Sequence, residues 1–249
     1  MINVSELKGG QLAPPSPTSV ASPGAALWLK MRLAQSLLNT AAQRFWTHPG
    51  LPCSFPLFLG ELYSIVSCSV PLMEAASERA LQLASSSPLA AVTAHYLQQH
   101  IEEERHHDEW LLDDLVDAGM DRAELLQRPA SANVARLIGA QYCWIHHAHP
   151  AALFGYLGVI EGNPPLPEHL EEIRLQVGYP AEAFRCMHLH ASDDIEHVRG
   201  LKATITALPL SESEEHLIAM SAFATLEGVI RLFEDLTADS QMPQPAGAM

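Results

Sequence analysis

The sequence predicts an all-α protein, a single bundle of about seven to eight helices. Three observations predict it. Apolar residues recur at three-to-four-residue spacing over long windows, no segment alternates like a strand, and proline and glycine stand where helices start and stop. Neither an internal repeat nor a shift of composition divides the 249 residues into two domains.

Residues 1–24, rich in Pro, Ser, Gly and Ala, are expected to form a disordered tail. The helical domain is expected over 25–239, with a flexible C-terminal tail at 240–249. Within the domain, helical pattern covers about 25–46, 56–85, 87–119, 131–148, 150–162, 166–177, 180–207 and 212–238. Pro88, Pro150 and Pro180 mark starts, whereas Gly119, Gly162 and Gly178 mark stops. Ser211 or Ser213 offers an N-cap ahead of acids in the last helix.

Composition narrows function. Twenty-nine acids against 14 Lys and Arg give a formal charge of -15, which argues against nucleic acid or an anionic membrane as partner. The four cysteines have no CxxC spacing, so neither a zinc knuckle nor a secreted disulfide framework is expected. The N-terminal stretch lacks the pattern of a secretory signal, and Glu61 and Pro71 interrupt the most apolar window. A soluble, cytoplasmic chain is the expectation. Thirteen histidines are the unusual feature, because histidine is both the commonest metal ligand and the neutral-pH acid–base group.

The stretch HLHASDDIEHVRG, residues 188–200, carries much of that excess. With His190 at zero on a helical wheel, Asp194 falls near 40° and His197 near -20°, among Met187, Val198, Leu201 and Ile205 at roughly 20° to 80°. Two imidazoles and a carboxylate on an apolar stripe point to a shared cation, since burying them unpartnered is costly. In HIEEERHHDEWLLDDL, residues 100–115, His107 lies on the stripe, while His106 points about 100° away. Glu104 and His107 form an E-x2-H pair one turn apart, able to converge on one ion. Glu103, Asp108 and Glu109 are expected to be solvated or to support the ligands from outside. Glu161 closes a wholly apolar segment preceded by 36 residues without an acid (125–160), so it either faces the adjacent turn or bridges two cations. His146, His147 and His149 are expected to be structural, with His149 the strongest exception.

In order, Glu104 and His107 in ERHH, Glu161 in GYLGVIEG, and His190, Asp194 and His197 in HASDDIEH resemble the haem-oxygenase-like di-iron oxidases and oxygenases, the iron-containing redox enzymes. The likeness spans roughly residues 55–235. It implies a haem-oxygenase-like bundle without haem, holding two iron ions on Glu104, His107, Glu161, His190, Asp194 and His197. It further implies dioxygen as co-substrate and a small organic substrate such as an amino acid, amine or fatty acid. The implied outcomes are desaturation, N-oxygenation or oxidative C–C cleavage. Three imidazoles with three carboxylates suit Fe2+, or Mn as the alternative, better than a closed zinc site. An external electron donor and a homodimer complete the expected partners. The rivals are a ferritin-like or non-catalytic iron-binding bundle. In the ferritin-like case Glu61 is a ligand and His190 a bystander.

Overall fold

The computed structural model describes residues 22–239 apart from positions 163 and 209, with no side chain described at 193, 194 and 239. Of the expected tails, at 1–24 and 240–249, residues 1–21 and 240–249 lie outside the described residues, whereas Pro23 and Gly24 already belong to the first helix. The elements are helical throughout: α1 (Pro23–Trp46), α2 (Leu51–Leu83), α3 (Pro88–Glu104), α4 (His107–Asp117), α5 (Arg122–Gln127), α6 (Ala132–His147), α7 (Leu153–Ile160), α8 (Pro167–Val177), α9 (Arg185–Ala207) and α10 (Glu212–Asp239). Short 3-10 turns, Pro150–Ala152 and Ala181–Phe184, lead into α7 and α9. Among the described residues there is no strand, as the periodicity predicts.

Capping chemistry sets most boundaries. The hydroxyls of Ser22, Ser87 and Ser131 and the Asp121 carboxylate each accept an N–H of the first turn they precede. Ser211, rather than Ser213, caps α10: its N–H donates to Glu214 at 2.8 Å while the Glu214 N–H donates back to its hydroxyl at 3.4 Å. The helix expected from 56 begins at Leu51, because Pro52 fits the first turn, where no N–H is required. Pro56 and Pro71 are accommodated inside this helix. The six-residue α5 was not anticipated; its Asp121 cap is visible in sequence, but its apolar pattern is too short to read.

Packing places α7 at the centre, with every residue from Leu153 to Val159 buried. α7 can sit close to α10 because residue 155 is glycine: a Cβ there would meet the Ile218 carbonyl oxygen at 2.3 Å. α1 and α10 run parallel. Lys30 pairs with Glu215 at 2.6 Å near their starts, and Phe45 lies 5.5 Å from Phe233 near their ends. Phe45, Trp46, Phe58 and Phe233 form an aromatic cluster, and Phe55 stacks on Phe184 at 5.3 Å ahead of α9. α2 and α10 are each long and apolar enough to cross a membrane. Here both are integral to the bundle core, contributing Phe55, Leu59, Leu72 and Ala76, and Ile218, Ala222 and Leu226.

Candidate metal centre

The helix expected over 87–119 is two helices, and the break builds the site. α3 ends at Glu104; Arg105 is extended, and His106 adopts a left-handed conformation at φ 74° before α4 begins at His107. A non-glycine residue there costs on the order of 1 kcal/mol. The break turns the His106 side chain outward, 57% exposed, and leaves Glu104 and His107 buried with Nδ1 of the imidazole 2.9 Å from Oε2 of the carboxylate. The choice of His107 over His106 is therefore decided by this turn, not by a continuous helical wheel.

Glu161 caps the C-terminus of α7, not its last helical turn. α1 holds that end in place: Arg32 donates to the Gly162 carbonyl, and Gln35 donates to the Val159 carbonyl at 3.3 Å. The Glu161 carboxylate therefore turns inward, where Oε1 lies 3.0 Å from Nε2 of His100. α9 brings His190 and His197, one on each side of the cluster. The His190 ring meets His107 edge-on, centroids 4.8 Å apart at 87°, and the His197 ring meets His100 at 5.0 Å and 88°.

Two groups of donors result. Glu104, His107 and His190 form one, while His100, Glu161 and His197 form the other, with one donor atom from each residue of a group lying within 4.8 Å of the rest. Glu104 links them: its Oε2 faces His107, and its Oε1 lies 3.3 Å from Nδ1 of His197. Five of the six sequence-predicted residues thus come together. The sixth, Asp194, lies on α9 between the two histidines, but its side chain falls outside the described residues.

Sequence reasoning missed His100, which is 1% exposed. Its signal was available, since it lies one helical turn before Glu104 on α3. Its second ring nitrogen meets Glu103 at 3.0 Å, so the half-exposed Glu103 supports the cluster from outside, as expected. Burial disfavours the charged form of His100, but the hydrogen bond and charge of Glu161, with help from Glu103 and Glu104, push its pKa up to about 9. Burial raises the Glu104 carboxyl too, yet its hydrogen bond to His107 and the charges of His190, His107 and His100 hold it below the usual range.

Other candidates resolve away from this centre. Glu61 accepts from the Ser131 hydroxyl at 2.5 Å and lies 3.5 Å from the Arg128 guanidinium, occupied at the start of α6. The ferritin-like ligand pattern therefore loses its first carboxylate, while His190 stands beside His107. His146 and His147 are exposed on α6. His149 is a helix cap: its Nδ1 accepts the Ala151 N–H at 3.1 Å.

A cleft of about 220 Å³ opens between α3 and α9, lined by Tyr96, His100, Glu103, His197, Gly200 and Thr204. Tyr96 brings an aromatic ring to the wall of this cleft. Phe154 and Tyr156 are buried core residues. Burial first, then the charges of Glu161, Glu103 and Glu104, raise the Tyr96 phenol and keep it protonated.

The sequence profile of the iron-containing redox enzymes matches residues 80–228, well over half of the chain and all of the donors above. The chain belongs to the iron-containing redox enzyme family. Solved structures with the same fold include a haem-oxygenase-like domain of unknown function from Shewanella denitrificans, at 13% identity and TM-score 0.65, covering 88% of this chain and 90% of that one. A TenA homologue from Pseudomonas syringae pv. tomato aligns at 11% identity and TM-score 0.65, covering 93% and 99%. A CADD-like protein of unknown function from Nostoc punctiforme aligns at 16% identity and TM-score 0.59, covering 88% and 100%. No curated protein matches the chain. The fold is haem-oxygenase-like, and the description of the family, iron-containing redox enzyme, points to an oxidoreductase.

Proposed function

We propose that this iron-containing redox enzyme is a non-haem di-iron oxidase or oxygenase, with Glu104, His107, Glu161, His190, Asp194 and His197 as ligands. The single observation that supports this most is the pairing of two buried donor groups around one carboxylate, Glu104. A satisfied structural network has little use for the arrangement. Glu104 Oε1 is buried and accepts no hydrogen bond among the described residues, although Nδ1 of His197 is 3.3 Å away. An orphaned carboxylate oxygen beside an imidazole nitrogen is what a cation between them would satisfy. The donors are imidazoles and carboxylates without a thiolate, a set that suits iron, with manganese as the alternative ion.

Iron(II), when bound, supplies the electrons and open coordination positions that dioxygen chemistry requires. The chain contributes order and exclusion. Arg32 and Gln35 lock the end of α7 so that Glu161 points inward, and the packed core around Tyr156 and Phe154 keeps water from that side. Glu103 accepts from His100 and fixes that ring's orientation, the supporting contact typical of metal-site histidines. The cleft along Tyr96 and Thr204 sets the scale of a small organic substrate: an amino acid, an amine or the end of a fatty acid. Desaturation, N-oxygenation and oxidative C–C cleavage are the proposed outcomes, in a cytoplasmic chain supplied by an external electron donor and assembled as a homodimer.

Anaerobic loading with iron(II), then oxygen-uptake measurements across an amino-acid, amine and fatty-acid panel, tests the proposal. Wild type is expected to hold two irons and to consume oxygen faster with one substrate class, whereas Glu104→Ala and His190→Ala lose both properties but keep helical circular dichroism. Iron binding without substrate-stimulated uptake identifies an iron-handling protein instead, and no iron binding refutes the centre.

A further inference from the structure

His100 has no place in the six-residue pattern, yet it is the most deeply buried histidine of the cluster. Its surroundings duplicate those of His107. Each ring stands nearly perpendicular to a histidine of α9, at 87° and 88°, with centroids 4.8 and 5.0 Å apart. Each also presents a ring nitrogen to a buried glutamate, at 2.9 Å for His107 and Glu104 and 3.0 Å for His100 and Glu161. An octahedral ion with bonds of about 2.1 Å holds neighbouring ligand atoms about 3 Å apart. Both nitrogen–oxygen pairs are already spaced for one ion each.

We propose that His100 is a direct ligand, completing a second two-histidine, one-carboxylate triad with Glu161 and His197 that matches the triad of Glu104, His107 and His190. This rests on the di-iron reading above and adds a donor to it. Such triads leave open positions and are the ligand set of mononuclear iron(II) oxygenases. Among the described residues the two donor groups match in ligand type and differ in position. His100 and His197 line the cleft, whereas Glu104, His107 and His190 do not. The ion on the His100 triad is the one that meets substrate.

The alternative is that His100 merely donates to Glu161 and orients it. Anaerobic iron(II) titration of the full chain separates the two roles, with bound metal counted after desalting. Wild type should hold two irons, and both His100→Ala and His100→Gln should lose more than about 100-fold in affinity for one of them, beyond the 10–100-fold typical of losing a supporting contact. Gln keeps an N–H donor for Glu161 but is a poor iron ligand, so recovery of the second iron in His100→Gln alone overturns the proposal. Two wild-type irons in both variants also overturn it, leaving the di-iron reading intact. A wild type without iron overturns both. If the variants do not fold, iron-edge anomalous scattering from wild-type crystals decides: a peak within about 2.4 Å of His100 Nε2 supports ligation, and peaks remote from it refute it.

Discussion

Asp114 offers the sharpest test of how the scaffold holds the two halves of the centre together. It lies on α4, seven residues after His107, and is 1% exposed. One of its oxygens accepts the Cys186 N–H at 2.6 Å, and the other accepts from the Arg185 guanidinium at 3.0 Å. This caps the start of α9 from another helix, one turn ahead of His190. The Cys186 thiol reinforces the joint by donating to the His107 carbonyl at 3.7 Å. Asp114→Ala strands a buried helix-end N–H, at a cost of about 1–3 kcal/mol. Arg185 is 55% exposed, so its ion pair adds less than about 1 kcal/mol. Against this, burial raises the Asp114 carboxyl despite both partners, so its removal also relieves an unfavourable buried charge. The net expectation is about 2 kcal/mol, or roughly 4–8 °C in Tm for a chain of this size. Asp114→Asn keeps an acceptor for Cys186 and should lose less than about half of that. Urea unfolding by circular dichroism measures both variants. An Ala variant within about 0.5 kcal/mol of wild type, or an Asn variant as damaged as Ala, refutes the capping argument.

Further outcomes follow from other contacts. His149 caps the turn before α7 through an unprotonated Nδ1, and burial holds its pKa below the ordinary histidine value. The unfolded chain therefore takes up that proton first. The cap's contribution, about 1 kcal/mol, is present above pH ~6.5 and is lost as pH falls towards the folded pKa. His149→Asn should flatten that part of the urea-midpoint profile between pH 7.5 and 5, and an unchanged slope would remove His149 as its source. Gly155→Val drives a Cβ into the α10 backbone and should destabilise by about 3 kcal/mol or prevent folding, read from thermal melts. Glu61→Ala should leave iron stoichiometry at the wild-type value, whereas Glu104→Ala should not; the reverse pattern would restore the ferritin-like arrangement. Iron(II) at 100 times its Kd should stabilise the folded chain by about 2.7 kcal/mol for each ion bound, reversed by a chelator, as calorimetry would show.

The helical character, most boundaries and five of the described site residues were legible in the sequence because they depend on local rules. Apolar spacing marks the buried faces, serine and aspartate mark the starts, and three polar donors on an apolar stripe of α9 have no inexpensive alternative to a shared cation. The order of ERHH, GYLGVIEG and HASDDIEH added the family resemblance, and with it the ligand set that the resemblance implies. What the sequence could not reveal depends on contacts between distant segments. The left-handed turn at His106 looks like ordinary helix in its residues, because no glycine or proline marks it. Glu61 and Glu161 both read as isolated carboxylates in apolar surroundings. Only packing sends one to Ser131 and Arg128 and the other to His100. His100 itself was passed over because its significance lies in its partners, 61 and 97 residues away in sequence, and periodicity along one helix carries no information about what the facing helices present.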